Sequence, residues 1–212
     1  MKQFKTLVSI ILLLIITGIL AKAQPIPAEL MLGNKYGTLK MIVSKNFSPT
    51  SKFGIFHINI LQFDYLHNLE NDLMLQDLVF FEPIKNFRIT GGGLYTGKGG
   101  FLPTAGIQYK LNNKSLFLLL SPRMNFKDGN NEGDIFSIFQ MTPKINEKFD
   151  FVVGIQSLFL FNRDGNIKSG QDLRFGIGYK QTQVGIAAGL EQVGPHYKSF
   201  SNFGIFIEKS IF

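Results

Sequence analysis

Eight charged residues fall inside segments that are otherwise apolar at every second position: Lys40, Arg88, Lys110, Arg123, Asp150, Asp172, Arg174 and Glu191. Charges on one face of such a segment do not stand alone away from water. They pair with one another, or they line a wet passage. Two chemistries follow: an internal network of ion pairs and hydrogen bonds, or a pore whose basic excess favours anionic solutes.

Catalysis has thinner support. A hydrolase needs a nucleophile or an activated water beside a base. The histidines are His57, His67 and His196. His57 stands two positions from Asn59, so both share one face, yet no spacing ties Ser44 or Ser51 to it. No serine sits in a G-x-S-x-G turn. No catalytic residue is therefore assigned, and His57 reads as a wall histidine. There is no cysteine and no closely spaced His/Asp/Glu set, so neither a metal nor a cofactor is expected.

One stretch resembles a phosphate-binding loop: "GGLYTGKG", from Gly92 to Gly99. Gly99 stands where that loop needs serine or threonine. Gly100, Phe101, Leu102 and Pro103 follow, with strand rather than helix character. The stretch reads as a hairpin tip whose glycines serve the turn.

The elements that position these residues are strands. In 171–180, Leu173, Phe175, Ile177 and Tyr179 alternate with Asp172, Arg174, Gly176 and Gly178. In 183–191, Val184, Ile186, Ala188 and Leu190 alternate with Gln183, Gly185, Ala187, Gly189 and Glu191. Pairing the two around Gln181 and Thr182 keeps both apolar sets on one face, as a hairpin requires. Residues 39–44, 101–111, 115–126 and 149–161 alternate likewise. Three stretches do not. Residues 53–65 change phase near Asn59, residues 73–81 fit a strand or a short helix, and 134–145 has no clear face. Bulges, or strands apolar on both sides, would account for them.

A soluble sandwich or ligand-binding barrel also alternates, with its apolar set inward. A membrane barrel reverses the arrangement. Three features favour the reversal. The polar faces are rich in glycine and alanine. The segment 149–161 is longer than the ~5–6 residues usual in globular strands. Aromatics sit at the ends of apolar faces, Phe149 and Phe151 at one end of a strand and Phe159 and Phe161 at the other. Tight turns near 112–113, 146–147 and 181–182 alternate with longer stretches at 127–133, 162–170 and 192–198. Short inner turns and longer outer loops are the membrane-barrel pattern.

The start of the chain is separate. Lys2 and Lys5 precede an apolar run from Leu7 to Leu20, and Ala21-Lys22-Ala23 offers a cleavage site. The run is short of the ~20 residues that cross a bilayer as a helix. Residues 1–23 read as a secretory signal peptide and 24–212 as one barrel domain. The formal net charge of +7 includes three leader lysines. The remaining basic residues are scattered among turns rather than clustered, which argues against nucleic-acid binding.

An exported chain of alternating strands without cysteine, ending in Phe212, resembles the small outer-membrane β-barrel proteins of Gram-negative bacteria. The resemblance covers the whole of 24–212 at the level of pattern. It implies an all-β, closed, antiparallel up-and-down transmembrane barrel, of twelve strands, or ten if the middle is less regular. It implies outer-membrane lipids including lipopolysaccharide as surroundings, and Phe212 as the signal read by the barrel-assembly machinery. Phe206 and Phe212 match that terminal pattern. Glu208 and Ser210 do not, so a bulge near Lys209 is expected. The functional expectation is a passive narrow channel or a structural barrel with a polar, partly plugged lumen. Its small solute is not indicated by the sequence. The alternatives are a barrel-type lipid-modifying enzyme or protease, and a soluble exported β-sandwich.

Overall fold

The computed structural model describes residues 26–65 and 72–211. Residues 1–23, expected from sequence to be a leader, His67 and Phe212 lie outside them. Among the described residues there are twelve strands: β1 (Ile26–Gly33), β2 (Tyr36–Asn46), β3 (Phe53–Asp64), β4 (Asp72–Ile84), β5 (Phe87–Thr96), β6 (Gly100–Asn112), β7 (Leu116–Asn125), β8 (Glu132–Met141), β9 (Phe149–Asn162), β10 (Gly165–Tyr179), β11 (Thr182–Val193) and β12 (Lys198–Ile211). Each pairs antiparallel with its chain neighbour. β1 pairs with β12, from Ile26↔Ile211 to Gly33↔Gly204, and closes the barrel.

Alternation decides which side chains face the bore. On β10 and β11, Leu173, Phe175, Ile177, Val184, Ile186 and Leu190 point outward and are exposed. The same holds around the ring, through Ile89 on β5, Ile107 on β6 and Ile205 on β12. A continuous apolar exterior of this kind suits acyl chains rather than water. Aromatic rings pair near its edge: Phe53 with Phe81 (4.8 Å), Phe87 with Tyr109 (5.3 Å) and Phe149 with Tyr179 (5.3 Å). All six belong to the end of the barrel that carries Ile26 and Ile211.

The three ambiguous stretches become β3, β4 and β8. They are apolar on both faces because the bore holds its own hydrophobic cluster. Phe56 and Ile58 on β3, Leu78 and Phe80 on β4, Leu119 on β7, and Phe136 and Ile138 on β8 are all buried together inside. Burial on the inner face and lipid on the outer one erase the alternation.

Three expectations fail. Loop lengths are not sorted by end. The end carrying Ile26 and Ile211 has two-residue turns at 85–86 and 180–181 and longer connections at 47–52 and 142–148; the other has turns at 34–35 and 163–164 and a longer loop at 126–131. Residues 162–170, expected as a loop, are mostly strand, because Gly165 at φ +115° turns the chain straight into β10. The bulge near Lys209 is also absent. β12 keeps one register against both β1 and β11 throughout, with Phe206 inward and Phe203, Ile205, Ile207 and Ile211 outward. The register breaks lie elsewhere, between Asn166 and Lys168 and between Phe81 and Ile84.

Residues 97–99 form the β5–β6 turn, where Gly99 N–H bonds to Thr96 Oγ1 at 2.9 Å and Gly100 has φ +70°. No helix follows, so the phosphate-loop geometry is not built there.

Candidate functional site

Inward positions on β1, β2, β9 and β10 bring charges together inside the barrel. Lys40 Nζ lies 3.3 Å from Glu29 Oε1 and 4.0 Å from Asp172 Oδ2. It also donates to Gln156 Oε1 at 3.0 Å. Arg174 Nη2 donates to Glu29 Oε1 at 2.7 Å and lies 3.6 Å from Asp172 Oδ2, while its Nε pairs with Glu29 Oε2. Lys40 is on β2 and Gln156 on β9, five strands apart in a ring of twelve. Their bond therefore runs between nearly opposite walls.

A second cluster centres on Arg123 of β7. It pairs with Asp134 of β8 at 2.6 Å and donates to Gln76 of β4, three strands away. Asn125 donates to the other oxygen of Asp134 at 2.8 Å and accepts from Thr104 at 2.8 Å. The guanidinium carbon stands 5.3 Å from the Phe136 ring centroid. A third cluster joins Arg88 to Glu82 (2.8 Å) and to Ser44 (2.8 Å), with Lys110 donating to the same serine at 3.0 Å. Arg88 also lies 3.8 Å over the Phe80 ring. Buried charges need this degree of compensation, since an ion without partners costs several kcal/mol or more.

All eight charged residues singled out from sequence lie on bore-facing strand positions. Lys40, Arg88 and Arg123 are buried; Lys110, Asp150, Asp172, Arg174 and Glu191 are half-buried. Glu191 pairs with Lys168 at 3.1 Å, and Asp150 stands apart from the three clusters, near the barrel end. Sequence reasoning missed Glu29, Glu82 and Asp134, the acids that complete the clusters, and Gln76 and Gln156, which bridge between walls. Glu29 lay in the one segment too short to show alternation. Asp134 lay in the stretch without a clear face.

Two cavities flank the crossing. One of about 670 Å³ opens toward the end carrying Ile26 and Ile211, with Lys110, Lys114, Asn113 and Ser210 near its mouth and Lys40, Glu29 and Arg174 deeper. The other, about 180 Å³, lies among Tyr36, Asp72, Thr96, Lys168 and Glu191. Gln156 borders both.

His57 is not part of this interior. It points outward from β3, with Nδ1 2.8 Å from Oδ1 of Asp77, its cross-strand partner on β4. Ser44 faces the bore, on the opposite side of the wall. The outward neighbours set around His57 by register are Val43, Met41, Lys45, Ile55, Asn59, Leu75 and Val79. None offers a hydroxyl nucleophile. A charged side chain on the lipid face costs up to ~2–4 kcal/mol for Arg or Lys at mid-depth, and less for a carboxylate. The pairing reduces that cost without removing it.

No family model matches the chain, and no curated protein matches it. Solved structures do. The KdgM porin aligns with a TM-score of 0.51 at 10% identity, over 89% of this chain and 100% of that one. The NanC porin aligns at 0.53 and 12% identity, over 90% of this chain and all of its own. The KdgM porin in complex with disordered oligogalacturonate gives 0.51 at 10% identity, over 89% of this chain and 100% of that one. At such identities the likeness is one of fold: a closed, all-antiparallel barrel of porin type.

Proposed function

We propose that this chain is a passive outer-membrane barrel whose bore is closed at mid-height by its own side chains. The Lys40–Gln156 hydrogen bond between nearly opposite strands carries this reading. The Glu29–Lys40–Arg174–Asp172 network beside it and the aromatic cluster of β3, β4 and β8 support it. The eight bore charges act as fillers and fasteners rather than as a ligand site. Export by the leader 1–23, delivery by the assembly machinery and surroundings of lipopolysaccharide belong to the same reading.

A second reading is a narrow channel for small anions. The larger cavity favours it, because Lys40, Lys110, Lys114 and Arg174 outnumber Glu29 and Glu208 along its wall. The enzyme reading has only the His57–Asp77 pair in its favour. Loss of a measured lipid-hydrolase activity in H57A would support it.

Planar-bilayer recording separates the first two. The unaltered protein is expected to pass little current, and K40A/R174A, which removes the crossing, is expected to raise conductance. A large, anion-selective conductance in the unaltered protein would overturn the plug and favour the channel.

A further inference from the structure

On the exterior, the wall of β3 and β4 carries an acid–base pair, His57–Asp77. Its height on the wall can be read from the strands. Outward Phe53 lies four residues from His57 on β3, and outward Phe81 four residues from Asp77 on β4; these two rings stack at 4.8 Å near the barrel edge. Four residues at ~3.3 Å each, on a strand tilted by ~40°, place the pair ~10 Å inside that edge. In an apolar band ~25 Å tall this is near the middle, beyond the reach of headgroups.

The pair is incompletely served there. Asp77 uses Oδ1 toward His57, and its side chain is 78% exposed. The Phe101 ring covers Gly93, the β5 neighbour of Asp77, but one row along the wall is low: Val79 is followed by Gly91 and Ala105. A Cβ added at Gly91 would meet nothing within 4 Å. Small residues beside polar ones on a lipid-facing surface let another protein wall come close and satisfy the polar groups.

We infer that the β3–β5 wall is the contact face for a second copy of this chain. Charge complementarity selects that occupant. Two copies that stand the same way up in a membrane can be related only by a two-fold axis along the membrane normal. Such an axis sets the left of one wall against the right of the other. With the axis between β3 and β4, His57 of each copy faces Asp77 of the other, so one base and one acid serve both contacts. The inference rests on the wall facing lipid, not on whether the bore conducts.

The test uses the full-length exported protein, purified in mild detergent and reconstituted in phospholipid nanodiscs. The heat-dependent shift on SDS gels reports separately that the barrel is folded. The unaltered protein is expected to have the mass of a dimer. H57L/D77L removes the polar pair while suiting lipid, and is expected to keep the gel shift and fall to a monomer. Because the chain has no cysteine, single substitutions map the contact directly. V79C is expected to form a dimer with a short bismaleimide, and L173C, six strands from β4 on β10, is not. A folded, monomeric unaltered protein overturns the inference. So does a dimer that L173C traps and V79C does not, or one that H57L/D77L leaves intact.

Discussion

At the scale of single residues, the bore is a set of mutual obligations. Arg123 and Asp134 are each 2% exposed along their side chains, so neither has water to fall back on. Removing one leaves the other charged and unserved, at a cost of ~3–5 kcal/mol. R123A is therefore expected to lower the urea midpoint of the folded barrel by that order. R123M/D134L, which removes both charges and keeps most of the volume, is expected to recover most of the loss. The chain has no tryptophan, so unfolding is best followed by gel mobility. A double variant no better than R123A would show that packing, not charge, holds this position. The bases of these clusters were legible in the sequence because they stand at the non-apolar positions of alternating segments. Asp134 was not, since Ile135, Phe136, Ile138 and Phe139 around it are apolar on both faces.

At the scale of strands, close approach matters as much as hydrogen bonding. Gly176 and Gly185 face each other across β10 and β11. A Cβ on Gly185 would lie 2.1 Å from the carbonyl oxygen of Phe175 and 2.5 Å from Cα of Gly176, and a backbone cannot step aside as a long side chain can. At Gly154 on β9 the nearest atom would be 3.7 Å away, an ordinary contact. G185A is thus expected to slow or prevent the shift to the folded gel form, while G154A folds as the unaltered chain does. Equal folding of both variants would mean that the sheet can spread at β10–β11. The hairpins around these strands were readable because polar and small residues alternate with Leu, Ile and Phe over their length. β3, β4 and β8 were obscure for a physical reason. A periodicity of two signals a difference between faces, and the packed bore makes both faces apolar. Loop sorting misled because a two-residue turn at 163–164 needs only Gly165 in a positive-φ conformation, which the polar run around it disguised as a loop.

At the scale of the molecule, the fold places its greasy surface where water would be expected to sit. Ile186 is 63% exposed and Ile205 61%, as neighbours on adjoining strands. The protein is expected to stay with the membrane pellet through high-salt and alkaline washes and to leave it only with detergent. Release by salt alone would contradict a lipid-facing exterior, and with it the reading of His57 and Asp77 as a contact between copies. The architecture could be foreseen from alternation, strand length and aromatic placement, which depend on the sheet as a whole. The occupancy of the bore could not, because it depends on which side chains meet across several strands, and spacing along one strand carries no such information.

The seam between β1 and β12 sets Ile26 against Ile211. The last rungs of the ladder thus join the first and last strands in chain order, with ten others between them. A nascent or truncated polypeptide carries two raw edges, each a template for the wrong partner. Such long-range closure is slow by nature. Until β12 exists beside β1, no cylinder can form, and the open edges need keeping apart from those of other copies.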